Sequence, residues 1–138
     1  MRILAIDPGD KRIGIALSDP TGKIATPLTI IKHVSRPLDA AEIVNLAQDN
    51  MVERIIIGTS SDEIGFSTPA SRRADRLAEA IRLQCEIPII MWDESFSTQE
   101  ARQARIELGT TRSRRHGHMD DLAAAIILQS YLNSNMDL

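Results

Sequence analysis

The chain has 138 residues, the size of one domain with its own hydrophobic core. A net charge of −3 and an aromatic content of 3% argue against a protein that coats nucleic acid with a basic, base-stacking surface. The single cysteine, Cys85, excludes an internal disulfide and a cysteine-rich zinc site, and no apolar run approaches the ~20 residues that span a bilayer. No signal-peptide core follows Met1-Arg2, so the expectation is one cytoplasmic domain over 1–138 without membrane contact.

Residues 2–7 read as a buried strand, and 12–18 alternate, with Ile13, Ile15 and Leu17 on one face and Gly14, Ala16 and Ser18 on the other. Pro8-Gly9 between them is a turn signal, which predicts a hairpin. Residues 24–32 give a third strand, where Pro27 points to an edge or a bulge. The period then changes. Ala40, Ile43, Val44 and Ala47 mark one face of a helix over 37–50. The β-branched run 55–57, closed by Gly58, reads as a central strand. A helix over 69–83 opens on Pro69, which suits a first helical position. Its Arg72, Arg73 and Arg76 read as a solvated face, or less simply as phosphate contacts.

Residues 88–92 read as another buried strand, and Ser97-Thr98-Gln99-Glu100 fits a capping box that starts a helix. A polar loop, TTRSRRHGH at 110–118, precedes a last helix over 119–133 that is apolar almost all round and is expected to be sandwiched. The order predicts a mixed five-stranded sheet, three antiparallel strands then two parallel, flanked by helices.

Ligand sites on open α/β sheets lie at the carboxyl ends of strands. Asp7 ends the first strand, Asp93 and Glu94 end the last, and Asp120 and Asp121 open the final helix. Such a set of hard oxygen donors suits magnesium or manganese, and paired ions can drive attack on a phosphodiester. Plainer readings stand beside this one. Asp7 could open an Asx-type turn with Pro8-Gly9. Glu94 could be surface charge, Asp120 and Asp121 ordinary first-turn acids, and Lys11 and Arg12 solvated turn cations. The arginine loop, with Arg112, Arg114, Arg115, His116 and His118, is either solvated or a phosphate grip beside the acids, with Gly117 as its hinge. His33 has no such neighbourhood and reads as structural or exposed.

Three blocks resemble the YqgF family, also called RuvX. The first holds Asp7, Gly9, Lys11-Arg12, Ile13-Gly14, Ala16 and Ser18-Asp19; the others are WDESFSTQEA at 92–101 and MDDLAAAIILQSYL at 119–132. Together they span nearly the whole chain. The resemblance implies an RNase H-like fold related to RuvC resolvases. It implies a cytoplasmic nuclease that matures the pre-16S ribosomal RNA with magnesium or manganese, alone or with ribosomal assembly factors. Older descriptions of the family call it a Holliday junction resolvase. Carried over, the metal-holding catalytic acids are Asp7, Glu94 and Asp120, the last chosen because Asp120-Asp121-Leu122-Ala123 matches the related Asp-x-Leu-Ala. Asp62 and Asp121 are further oxygen donors, and Lys11, Arg12, Arg112, Arg114, Arg115 and His118 are the nucleic-acid contacts.

The chain departs from the family pattern at Gly58-Thr59-Ser60, where Gly-Leu-Pro is usual, and at Asp62, where asparagine often stands. Ser95 replaces an arginine and His118 a lysine, so two phosphate-binding cations are altered. The rival functions are a junction resolvase, which needs a homodimer rather than a monomer, and a non-catalytic RNA-binding assembly factor. A sugar-kinase or actin-like phosphate loop is a further likeness of the first block, but one domain of this length lacks the second domain such proteins need.

Overall fold

The computed structural model describes residues 1–60, 67–93 and 119–136. Five strands form one sheet: β1 (Ile3–Pro8), β2 (Arg12–Ser18), β3 (Ala25–Lys32), β4 (Arg54–Thr59) and β5 (Ile89–Asp93). Their order is β3-β2-β1-β4-β5. β1, β2 and β3 pair antiparallel, while β4 joins β1, and β5 joins β4, in parallel. This is the mixed sheet that the order of patterns predicts.

Among the described residues three helices cover it. α1 (Arg36–Asp49) and α2 (Pro69–Arg82) lie on one face, and α3 (Met119–Met136) lies on the other. The period-2 alternation decides which side chains meet which helix. Leu4, Ile6, Ile13, Ile15, Ile55 and Ile57 pack with Ile43 and Val44 of α1 and with Leu77 and Ile81 of α2. The opposite face carries smaller residues. Ile3, Ala5, Ala16 and Ile56 pack with Ala124, Ile127, Leu128 and Tyr131 of α3. Alanines there let α3 lie close over β1 and β2. Each isoleucine fully buried in this way contributes about 1.5–3 kcal/mol.

Local chemistry sets the ends of the elements. Ser35 caps α1, its hydroxyl accepting from the Leu38 N–H at 3.3 Å. Thr68 and Ser71 form a reciprocal capping box at α2, and Pro69 follows the cap as expected. β3 is an edge strand, and its register slips at Pro27, where Ala16 faces Pro27 but Ile15 faces Thr29. β5 corrects the expectation of a buried strand. It lies at the other end of the order and is half-buried throughout, because it has a neighbouring strand on one side only. In α3, Leu122, Ala124, Ala125, Ile127 and Leu128 are buried, while Ala123 and Ile126 are half-buried. The helix expected to start at 97–100 lies outside the described residues. Among the described residues no helix is long and apolar enough to cross a membrane.

Two residues of the first family-like block turn out to hold the fold. Ser18 is buried and accepts from the Ile3 N–H at 2.8 Å, which ties the end of β2 to the start of β1. Asp19 organises the turn into β3. It takes the Thr21 hydroxyl and the N–H groups of Ile24 at 2.9 Å and Lys23 at 2.8 Å. These donors, the Thr21 hydroxyl first, hold its carboxyl well below the usual carboxylate range. A lowered folded-state value stabilises the fold above the unfolded value of about 3.9, and that contribution is lost as pH falls from there through the lower folded-state value. In thermal melts from pH 7 to pH 2, Asp19→Asn should lower the Tm at neutral pH and show a shallower acid loss than wild type. Parallel acid limbs in the two proteins would contradict this.

Candidate active site

β1 is the central strand and is buried from Ile3 to Ile6; Asp7 is the first residue to emerge, half-buried at the carboxyl end. Alternation puts it with Ile3 and Ala5 on the face that α3 covers. Its partner across the antiparallel pair is Gly14. On the other side Ile6 pairs with Ile57, so Gly58 comes next beside Asp7. Neither neighbour has a side chain, which leaves the carboxylate room on its own face of the sheet.

The direction of α3 follows from its C-terminal contacts. Gln129 accepts from the Ala25 N–H at 2.9 Å, and Tyr131 accepts from Arg54 Nη1 at 2.8 Å. Ala25 pairs with Ser18, which bonds Ile3, and Arg54 pairs with Ile3. Both contacts therefore sit at the level of Ile3. From there to Asp7 the strand rises about 13 Å. From Gln129 back to Asp120 the helix rises about 14 Å. The two lengths are similar, and with the body of α3 packed on Ala5, Ala16 and Ile56 its first turn lies toward the end of the sheet where β1 ends. Asp120 and Asp121 are in its first turn, where the helix dipole also favours negative charge.

The other predicted positions divide. Glu94, Asp62, Ser95, Arg112, Arg114, Arg115 and His118 lie outside the described residues. Lys11 and Arg12 are exposed at the β1–β2 turn, beside the rim. Asp93 has the parity of Ile89 and Met91, which pack toward α1 and α2, so it belongs to the face opposite Asp7. Ile90 and Trp92, on the other face of β5, pack toward α3. Trp92 also meets Tyr131 edge-on, with ring centroids 5.3 Å apart. Among the described residues no group of three or more His, Cys, Asp or Glu side chains is gathered for a metal.

Arg73 has a role that sequence reasoning missed, whereas His33 is exposed and structural, in keeping with its sequence reading. Arg73 is not part of a solvated face. It is half-buried, and its Nε donates to the Pro8 carbonyl at 3.3 Å. Its neighbours Arg72 and Arg76 are exposed, as expected. His33 pairs through Nδ1 with Oδ2 of the buried Asp39, whose Oδ1 accepts from the Val34 N–H at 3.1 Å.

The turn after Asp7 is closed by the Gly9 N–H, which donates to Arg12 O at 3.0 Å. A Cβ on Gly9 would stand 2.2 Å from that oxygen, so only glycine fits here. Gly9→Ala should displace the turn and cost about 1–3 kcal/mol, read as a lower urea midpoint. An unchanged midpoint would show that the turn relaxes freely.

Comparison with known proteins bears on this arrangement. A family model described as "RuvX: Holliday junction resolvase" matches residues 1–134. A Thermoanaerobacter pseudethanolicus protein is 40% identical over 135 residues, covering 97% of each chain, and a Clostridium tetani protein is 37% identical over 134, again 97% of each. Both carry the name "Putative pre-16S rRNA nuclease". Among solved structures, the RuvC of T. thermophilus in complex with a Holliday junction substrate superposes with a TM-score of 0.68 at 14% identity, over 99% of this chain and 96% of that one. The fowlpox virus Holliday junction resolvase follows at 0.58 and 17%, over 97% and 99%. At such identities these structures establish the shared RNase H-like fold and nothing finer.

Proposed function

The chain belongs to the RuvX family, and on that premise we propose that it is a metal-dependent nuclease that hydrolyses RNA phosphodiesters in maturation of the pre-16S ribosomal RNA. The family and its nuclease relatives support hydrolysis of nucleic acid. The observation that carries the reading for this chain is the placement of Asp7. A carboxylate ends the central strand, on the face where α3 begins with two more carboxylates. The whole of 1–138 acts as one cytoplasmic domain in this reading.

The donors fit a hard divalent cation: they are carboxylate oxygens, and Asp7 is flanked by glycine rather than by bulky neighbours. Asp7, Glu94 and Asp120 would hold the ion, with Asp62 and Asp121 as further oxygen donors. Magnesium or manganese there would polarise the phosphoryl oxygen and make bound water a stronger nucleophile. The protein's own part is to place the strand. Lys11 and Arg12 at the turn, with Arg112, Arg114, Arg115 and His118, neutralise phosphates on either side of the scissile one. The oxygen of water attacks phosphorus, the bond to the 3′ oxygen breaks, and that oxygen takes a proton. The products are a 5′-phosphate and a 3′-hydroxyl.

A junction resolvase is the second reading, favoured by the family description and by the overlap with RuvC. It requires two sites in a dimer, so a monomer that prefers RNA to four-way DNA counts against it. Asp7→Asn should lose about a hundredfold or more of manganese-supported RNA cleavage while keeping the wild-type melting profile. A folded variant with undiminished cleavage would remove Asp7 from the chemistry. A wild-type protein that binds RNA and never cleaves it would indicate an assembly factor instead.

A further inference from the structure

Behind the rim, on the face opposite Asp7, lies a cavity of about 240 Å³ whose lining includes Pro8, Asp10, His33, Arg36, Asp39 and Arg73. Pro8 is the next residue after Asp7, and alternation turns it to the α1 and α2 side. The cavity therefore opens at the same end of the sheet as the candidate active site, across the β1–β2 turn.

Its lining carries two arginines against Asp10 and Asp39, but among the described residues neither arginine is paired with either acid. Asp39 is already committed, one oxygen to His33 and the other to the Val34 N–H. Arg73 is fixed through Nε to Pro8 O, and among the described residues nothing accepts from its terminal nitrogens. Arg36, at the first position of α1, is half-buried and pairs with no carboxylate among the described residues. Asp10 is the remaining acid, and it is exposed. Two half-buried arginines, neither paired with a carboxylate among the described residues, thus line one small concavity. Such groups are matched to phosphate oxygens, which they can hold by paired N–H donors. The volume falls below the ~300 Å³ at which pockets for whole small molecules begin, and suits one phosphate with part of its sugar.

We propose that this pocket is a second phosphate site, in which Arg36 and Arg73 hold a backbone phosphate of the RNA strand whose scissile phosphate lies at Asp7. The strand crosses the β1–β2 turn, where Lys11 and Arg12 are exposed between the two sites. The inference rests on the nuclease reading of the rim and adds the path of the substrate around it. Arg73 also holds Pro8, so phosphate in the pocket braces the backbone beside the reacting carboxylate.

The test is RNA binding without turnover. A short fluorescein-labelled single-stranded RNA is titrated in EDTA over a range of salt, with wild type, Arg36→Ala and the double variant Arg36→Ala/Arg73→Ala. Arg82→Ala, at the far end of α2, removes an equal charge away from the pocket. Arg36→Ala breaks no hydrogen bond among the described residues, so it keeps the test alive should the double variant melt early. The double variant is expected to bind roughly tenfold more weakly. Its log–log salt slope should fall by about 0.7, the value for one single-strand phosphate contact. Arg36→Ala should move both in the same direction, and Arg82→Ala neither. Wild-type affinity and slope in both pocket variants would overturn the pocket alone. A wild-type protein that binds no RNA would overturn the pocket together with the reading of the rim. Stabilisation of the wild type by inorganic phosphate or a mononucleotide as strong as by the oligonucleotide, and lost in the variants, would assign the pocket to a free anion and overturn the strand path.

Discussion

A carboxylate at the end of the most buried strand is the constraint around which this molecule is arranged. β1 has sheet neighbours on both sides and helices on both faces, and Ile3, Leu4, Ala5 and Ile6 are each at most 4% exposed. An uncompensated charge among them would cost several kcal/mol. Asp7 escapes that cost by standing one residue past the core, where the strand reaches the rim. The same core that makes the charge expensive also holds it still. A half-buried carboxylate on a rigid strand keeps its direction far better than one on a loop, and a ligand for an ion or a reacting phosphate needs that.

Strand parity then divides the rim into two. Asp7 faces α3 and Pro8 faces α1 and α2, so one step along the backbone passes from the candidate active site to the pocket lined by Arg36 and Arg73. The tight Gly9 turn joins the two without room for another side chain. On the α3 side the small residues of the sheet admit the helix, whose first turn lies toward the end of the sheet where Asp7 stands. On the opposite side the branched residues of the sheet seat α1 and α2, whose N-terminal regions contribute Arg36 and Arg73. Net charge is a poor guide to such a protein. An overall acidic chain can present cations only where the substrate passes.

Most of the fold was legible because each element has a clear period and a chemical boundary. Pro69 after Thr68, the alternation of Ile13, Ile15 and Leu17, and Gly58 after three isoleucines each admit few conformations. Strand ends moved by about one residue, since hydrogen-bonded register and not hydropathy sets them. The burial of β5 was misread because an apolar run looks the same at the edge of a sheet as at its centre. Asp7 was legible as a candidate, but only the sheet shows that it shares a face with α3. Arg73 was illegible. Its neighbours Arg72 and Arg76 are solvated, and the difference arises from contact with Pro8, 65 residues earlier in the chain. Asp19 shows the converse, a residue of the family-like block that serves a turn instead of the rim.

The account stands on oxygen ligands from separate parts of the chain sharing one cation. Anomalous scattering from crystals soaked in manganese measures that directly. A manganese peak bound by Asp7, together with a carboxylate from the first turn of α3, is the result expected. Saturating manganese with no peak at Asp7, or with the ion held elsewhere, would contradict it.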